Sequence, residues 1–182
     1  MTNLDYVDTI LSLENLKHYG RLYDWKTLVN ETSVSESEAN LASQKKTLQG
    51  ICPKGWHVPS DEEWKALEKF LGMEDEAIGL KSIKRSIPTI QKVVSSADWI
   101  SDETVPSESL LNIFPTGKYT PKESKRISVG FHHLGERATF WTSTESSDKT
   151  VWDRTIKYNE SSISRYDKYP KRNGYSCRCV ED

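Results

Sequence analysis

Between Tyr19 and Asn30 the residues Tyr23, Trp25, Leu28 and Val29 recur so that one side of a short helix can turn toward a core. Glu31 to Gln49 is polar and serine-rich with no apolar period, and reads as a long loop. The strongest local signal follows at Pro59-Ser60-Asp61-Glu62-Glu63-Trp64. Ser60 is placed to cap a helix, Glu63 completes a Ser-x-x-Glu capping box, and Asp61 and Glu62 set negative charge on the first turn. Trp64, Leu67 and Leu71 then share a stripe, and Gly72 stops the helix. Residues 73–110 suggest a second short helix around Glu76–Ile83, then irregular polar chain around Trp99. From Leu111 the apolar pieces become short and are cut by Gly, Pro and Ser. Leu111–Phe114, Ser128–Phe131, Thr139–Thr142, Val151–Tyr158, Ser162–Tyr166 and Tyr175–Val180 read as strands of a small antiparallel sheet. Helices first and strands last predict an α+β fold.

Composition narrows what such a fold does. The chain has 182 residues and a formal net charge of −2, so no global cationic field gathers nucleic acid or an anionic membrane. A mean hydropathy of −0.68 is low, but 6 Trp, 8 Tyr and 4 Phe let a core rest on few large rings. No run reaches the roughly 20 apolar residues of a membrane helix, and Met1–Gly20 carries acidic residues where an export signal is basic.

Cysteine usage is sharper. Cys177 and Cys179 form Cys-x-Cys, about 6.6 Å apart along a strand, at the far edge of what a disulfide tolerates. A bond from Cys52 to one of them would close a loop of about 127 residues, which loop entropy values at roughly 4–5 kcal/mol. Three reduced, buried thiols in a cytoplasmic protein are the other reading. A zinc knuckle is disfavoured, because Cys-x2-Cys spacing is missing.

The motifs Gly20-Arg21-Leu22-Tyr23-Asp24-Trp25, Gly50-Ile51-Cys52-Pro53-Lys54-Gly55-Trp56-His57-Val58-Pro59 running on into the capping box, Phe114-Pro115-Thr116-Gly117, Phe140-Trp141-Thr142-Ser143-Thr144-Glu145 and Tyr175-Ser176-Cys177-Arg178-Cys179-Val180 occur in one order. That order resembles the Fibrobacter succinogenes major paralogous domain family. The resemblance covers roughly residues 19–182 and leaves 1–18 as a divergent N-terminal arm, in which the family's usual Trp-Met-Ala-Glu-Asn-Leu segment is reduced to Ser12-Leu13-Glu14-Asn15-Leu16. It implies a C-type-lectin-like fold, with helices in the first half and a twisted antiparallel sheet with long loops in the second. It also implies a secreted or surface-attached protein of Bacteroidetes-like bacteria, whose removed leader would explain the missing signal. A disulfide between Cys52 and Cys179 is implied as well, with Cys177 a free buried thiol.

Against that background the candidate chemistry can be weighed. Sugar-binding C-type lectins hold calcium with Glu-Pro-Asn or Gln-Pro-Asp loops and a Trp-Asn-Asp strand. Neither loop occurs here, and Trp152-Asp153-Arg154 puts a cation where calcium wants a carboxylate. No cofactor is therefore expected, although a structural calcium elsewhere stays open. Formylglycine-generating relatives use a reactive cysteine pair, but strand geometry argues against Cys177 and Cys179 in that role, and the chain is read as no enzyme. His132 and His133 read as surface or half-buried residues.

Residues 152–172 interleave Tyr, Arg, Asn and Ser, the composition of a recognition surface. If Ile156 and Tyr158 face the core, Lys157 and Asn159 face out. The expected ligand face comprises Arg154, Lys157, Asn159, Arg165, Tyr166, Asp167 and Tyr169, with Tyr119 from a neighbouring loop. The plainer alternative is a solvated hairpin whose Tyr rings cover apolar neighbours. Arg165, Lys168, Lys171 and Arg172 make a basic patch, but Asp167 interrupts it and nucleic acid is not expected. Diversity-generating retroelements vary this same region in similar lectin-fold proteins, an expectation that a template repeat would test. Trp25, Trp56, Trp64, Trp141 and Trp152 are assigned to the core, and Trp99 to a loop anchor or an exposed contact. The expected partner is an extracellular protein or glycan, with a purely structural surface module as the alternative.

Overall fold

A computed structural model describes residues 13–30, 47–82, 85–87, 94, 98–100, 109–121 and 129–182. Among the described residues four helical segments precede nearly all of the strands, an arrangement consistent with an α+β fold. They are α1 (13–19), α2 (Trp25–Val29), α3 (Asp61–Phe70) and α4 (Asp75–Ile78). The strands are β1 (Trp56–His57), β2 (Lys118–Thr120), β3 (Gly130–His132), β4 (Arg137–Ser147), β5 (Thr150–Lys157), β6 (Ile163–Tyr166) and β7 (Val180–Glu181). They make three antiparallel sheets, β1-β7, β2-β3 and the central β4-β5-β6.

The capping box forms as its sequence dictates. The Ser60 hydroxyl accepts from the Glu63 amide, and the Glu63 carboxylate accepts from the Ser60 amide at 2.8 Å. The sequence reading extends the second helix to Ile83, whereas α4 ends at Ile78. Leu111–Phe114 is no strand, since Ile113 makes only a parallel bridge to Val94. In Tyr175–Val180, Tyr175 and Ser176 make isolated bridges and Val180 alone enters a strand. The β2 strand around Tyr119 has no counterpart among the sequence-read strands. Most of the expected loop 31–49 lies outside the described residues.

Alternation along the central sheet builds two cores. Ala138, Phe140, Ile156 and Ile163 point to one side and pack with Trp64 of α3, whose ring lies 5.5 Å from that of Phe140. Trp141 and Val151 point to the other and pack with Trp25, Leu28, Val58 and Tyr175. Trp141 is fully buried, donates from Nε1 to the Tyr23 carbonyl at 2.9 Å and stacks on Tyr175 at 4.2 Å. Cys52 belongs to this second core and is bonded to Cys179, joining positions 127 apart in sequence.

Two tryptophans leave their expected places. Trp56 is 40% exposed, because β1 turns His57 inward instead. Trp152 is half-buried, and its ring carries the Arg165 guanidinium at 3.4 Å. Trp99 is an anchor, donating to the Ile113 carbonyl at 3.1 Å beside the first core.

Candidate functional site

The side of the central sheet that α3 covers is held together by charge. Arg154 is opposite Arg165 in the sheet register, on the face that carries Phe140 and Ile156. Above them Asp61, Trp64, Glu68 and Leu71 lie along one stripe of α3, so both carboxylates descend with the apolar side chains. Glu68 accepts from Arg85 and, at 2.6 Å, from Arg154, and all three side chains are fully buried. Asp61 meets Arg154 at 2.8 Å and Arg165 at 2.7 Å. Burial alone would raise the Asp61 carboxyl, but hydrogen bonds from Arg165 and the charge of Arg154 hold it at about 2. Arg154 and Arg165, expected on a ligand face, are instead buried and paired with these carboxylates.

The rest of the expected face divides. Lys157 and Asn159 lie where β5 turns into β6, with Lys157 bound to Glu160 at 2.6 Å. Tyr158, expected inward, is 43% exposed. That turn is at the opposite end of β5 from Thr150, about 23 Å away by strand rise. Tyr166 is half-buried and has the Lys168 ammonium 4.7 Å above its ring. Asp167 pairs with Lys81. Tyr169 meets Tyr175 edge-on and lies 5.5 Å from the Lys118 ammonium.

Tyr119 lines a groove and is the one member of the expected ligand face to do so, joined there by Lys168, Lys171 and Arg172 of the basic patch. This groove has a volume of about 910 Å³. Leu22, Asp24 and Lys26 line one wall, Tyr119, Pro121 and Phe131 another, Lys149 and Thr150 an end, and Lys168, Pro170, Lys171, Arg172 and Gly174 the remainder. Local backbone chemistry sets its shape. Gly117 has φ +69, and a Cβ there would come within 2.4 Å of the His132 carbonyl, so glycine lets β2 leave the Phe114-Pro115-Thr116-Gly117 turn beside β3. Gly174 lets the Tyr119 backbone approach, and the two residues exchange N–H to carbonyl hydrogen bonds at 2.9 Å in both directions. The Trp25 amide binds the Lys171 carbonyl at 2.8 Å, and the Lys171 ammonium sits 4.3 Å over the Trp25 ring. Lys26, Lys149 and Phe131 were not singled out from sequence. Lys149 sits in a tight turn and Phe131 is a single apolar residue beside His132, so nothing local signals that they converge.

The sheet face opposite α3 holds a second polar cluster. Asp153 is buried, and neither carboxylate oxygen has a hydrogen-bond partner among the described residues. The Thr120 hydroxyl and Arg137 Nε are likewise buried and unpartnered. Burial drives the Asp153 carboxyl well above the usual carboxylate range against the opposing charge of Arg154, and Asp167 pushes the same way. Burial also lowers the Lys118 ammonium below its usual range.

The three cysteine sulfurs lie within 4.8 Å of one another. Two are joined in the disulfide, so Cys177 alone offers a thiol, 3.9 Å from the Cys179 sulfur, and burial pushes that thiol up to about 12. A thiol so disfavoured as thiolate is a poor nucleophile and a poor metal ligand at neutral pH.

The family model for the Fibrobacter succinogenes major domain matches residues 2–181, a span that takes in residues 2–18 as well. Neither the curated proteins nor the solved structures give a match.

Proposed function

We propose that the chain, which belongs to the Fibrobacter succinogenes major domain family, is an exported, C-type-lectin-like binding module without catalytic activity. Its ligand, an extracellular protein or glycan, sits in the groove beside Tyr119. The groove carries this reading: its volume of about 910 Å³ suits a bound group, and its lining combines rings with mobile polar side chains. The Cys52–Cys179 bond suits an oxidising compartment. The raised Cys177 thiol speaks against the reactive-cysteine alternative.

The experiment is an array of glycans and surface proteins probed with wild type, a Tyr119→Ala/Phe131→Ala variant and a Lys157→Ala/Asn159→Ala variant. Signals lost with the first variant and kept with the second support the groove. The reverse pattern would move the binding face to the far end of β5.

A further inference from the structure

We propose that the groove takes an anionic polysaccharide, with carboxylated or sulfated sugar rings lying along the Tyr119 and Phe131 wall. The proposal rests on the groove being the binding site and names the chemical class of its ligand.

Charge segregation is the first observation. The chain has a net charge of −2, yet among the described residues Lys26, Lys149, Lys168, Lys171 and Arg172 line this groove against Asp24 alone. The Asp24 carboxylate is already engaged, accepting from the Thr27 amide at 3.1 Å and hydroxyl at 2.7 Å as the cap of α2. Lys171 has its own anion in Glu145 at 2.9 Å. The side chains of Lys149, Lys168 and Arg172 are exposed and form no ion pair among the described residues. Like charges gathered in a concavity raise each other's energy and hold a positive potential that an anion relieves.

The wall beneath those cations is apolar. The rings of Tyr119 and Phe131 lie 5.0 Å apart, and Phe131 is 78% exposed. Pro170 and Leu22 continue the surface. Exposed rings backed by cations fit a ligand with a flat C–H face and anionic substituents at its edge, which describes a uronic or sulfated sugar ring. A peptide captured by its main chain would need free backbone donors and acceptors. Here the amides and carbonyls of Tyr119 and Gly174 are spent on each other. Lysines predominate on the rim, and as flexible point charges they follow the repeat of a charged polymer without requiring one fixed geometry.

The test is affinity electrophoresis of the full chain through gels containing polygalacturonate, dextran sulfate, neutral dextran or polyglutamate. Wild type, Lys149→Gln/Lys168→Gln/Arg172→Gln, Phe131→Ala and Tyr119→Ala are compared, each with its circular dichroism checked. The expected result is retardation by polygalacturonate or dextran sulfate and none by dextran, weakening as salt is raised. Which of the two anionic gels retards the chain identifies carboxylate or sulfate. The triple variant loses about tenfold to a hundredfold in affinity, and Phe131→Ala loses several-fold at every salt concentration. Polyglutamate binding as strong as either polysaccharide, with Phe131→Ala silent, overturns the proposal in favour of an acidic protein ligand while the groove stands. Retardation by dextran that the triple variant keeps but Tyr119→Ala abolishes also overturns it and leaves the groove standing. Retardation that no groove substitution changes removes both the proposal and the groove. Absence of retardation in all four gels overturns the proposal, and the array then judges the groove on its own.

Discussion

On the face of the β4-β5-β6 sheet that α3 covers, the buried charges of Arg85, Glu68, Arg154, Asp61 and Arg165 are all paired, whereas on the opposite face Asp153 is buried with neither oxygen hydrogen-bonded among the described residues. The two faces share the same strand: Asp153 and Arg154 are neighbours in β5 that point in opposite directions. Burial therefore does not by itself decide a carboxyl's state. Where guanidinium groups meet it, as at Asp61 and Glu68, ionisation is the favoured form and the pair becomes part of the packing. Where no donor meets it, desolvation drives the group toward the neutral acid.

One chemical change, carboxylate to carboxamide, breaks this comparison most directly. Glu68→Gln leaves Arg85 and Arg154 buried with their shared anion gone, and urea unfolding should show a loss of about 3–5 kcal/mol. The same change at Asp153 removes a carboxyl that burial disfavours as the anion and that has no partner to lose among the described residues, and should leave stability unchanged or raised near neutral pH. Losses of equal size at the two positions would erase the distinction.

The second face has a covalent staple where the first has ion pairs. Replacing Cys52 and Cys179 together by Ser should cost about 2–4 kcal/mol, and reductant should reproduce the loss in wild type but add nothing in the variant.

A pH series then separates the faces by sign. Asp61 is held at about 2, below its unfolded value of about 3.9. The stability it lends is complete above the unfolded value and is lost as pH falls toward 2. Asp153 is raised, so its contribution is complete below about 3.9 and is lost as pH climbs through its folded value. Asp61→Asn should flatten the acid limb of the stability profile and Asp153→Asn the limb above it. A profile unchanged by Asp153→Asn would show that this carboxyl has a partner in solution.

The contrast also explains how much could be read from the residues alone. The capping box and the stripe of Trp64 and Leu71 announce α3, because local hydrogen bonds and helical period are written in adjacent residues. Asp61 and Glu68 fall on that same stripe, and this is the signal that they are buried; charge invites the opposite reading. Their partners are 104 and 86 positions away, at Arg165 and Arg154. No local pattern conveys such pairing. Because β5 is covered on both faces, its Val-Trp-Asp-Arg-Thr-Ile run shows no apolar alternation, and Arg154 passes for a surface residue. The Cys52–Cys179 bond was implied by family resemblance, whereas spacing left Cys177 as a competing partner. Little of the groove was legible: Tyr119 was named as a neighbouring-loop contact and Lys168, Lys171 and Arg172 as a basic patch, but Lys26, Lys149 and Phe131 reach it only through the packing of distant turns.

The Cys52–Cys179 bridge has a mechanical consequence. Tension applied to the chain on the two outer sides of that bridge would pass from sulfur to sulfur without entering the 127-residue loop between them. Roughly 440 Å of contour, at about 3.5 Å per residue, would stay slack while the load was carried outside it. The first core is built wholly from that sheltered length, whereas Trp25, Leu28 and Val29 of the second core and Leu22, Asp24 and Lys26 of the groove wall lie outside it, so under strain the second core and the groove would give way while the first core stayed unloaded.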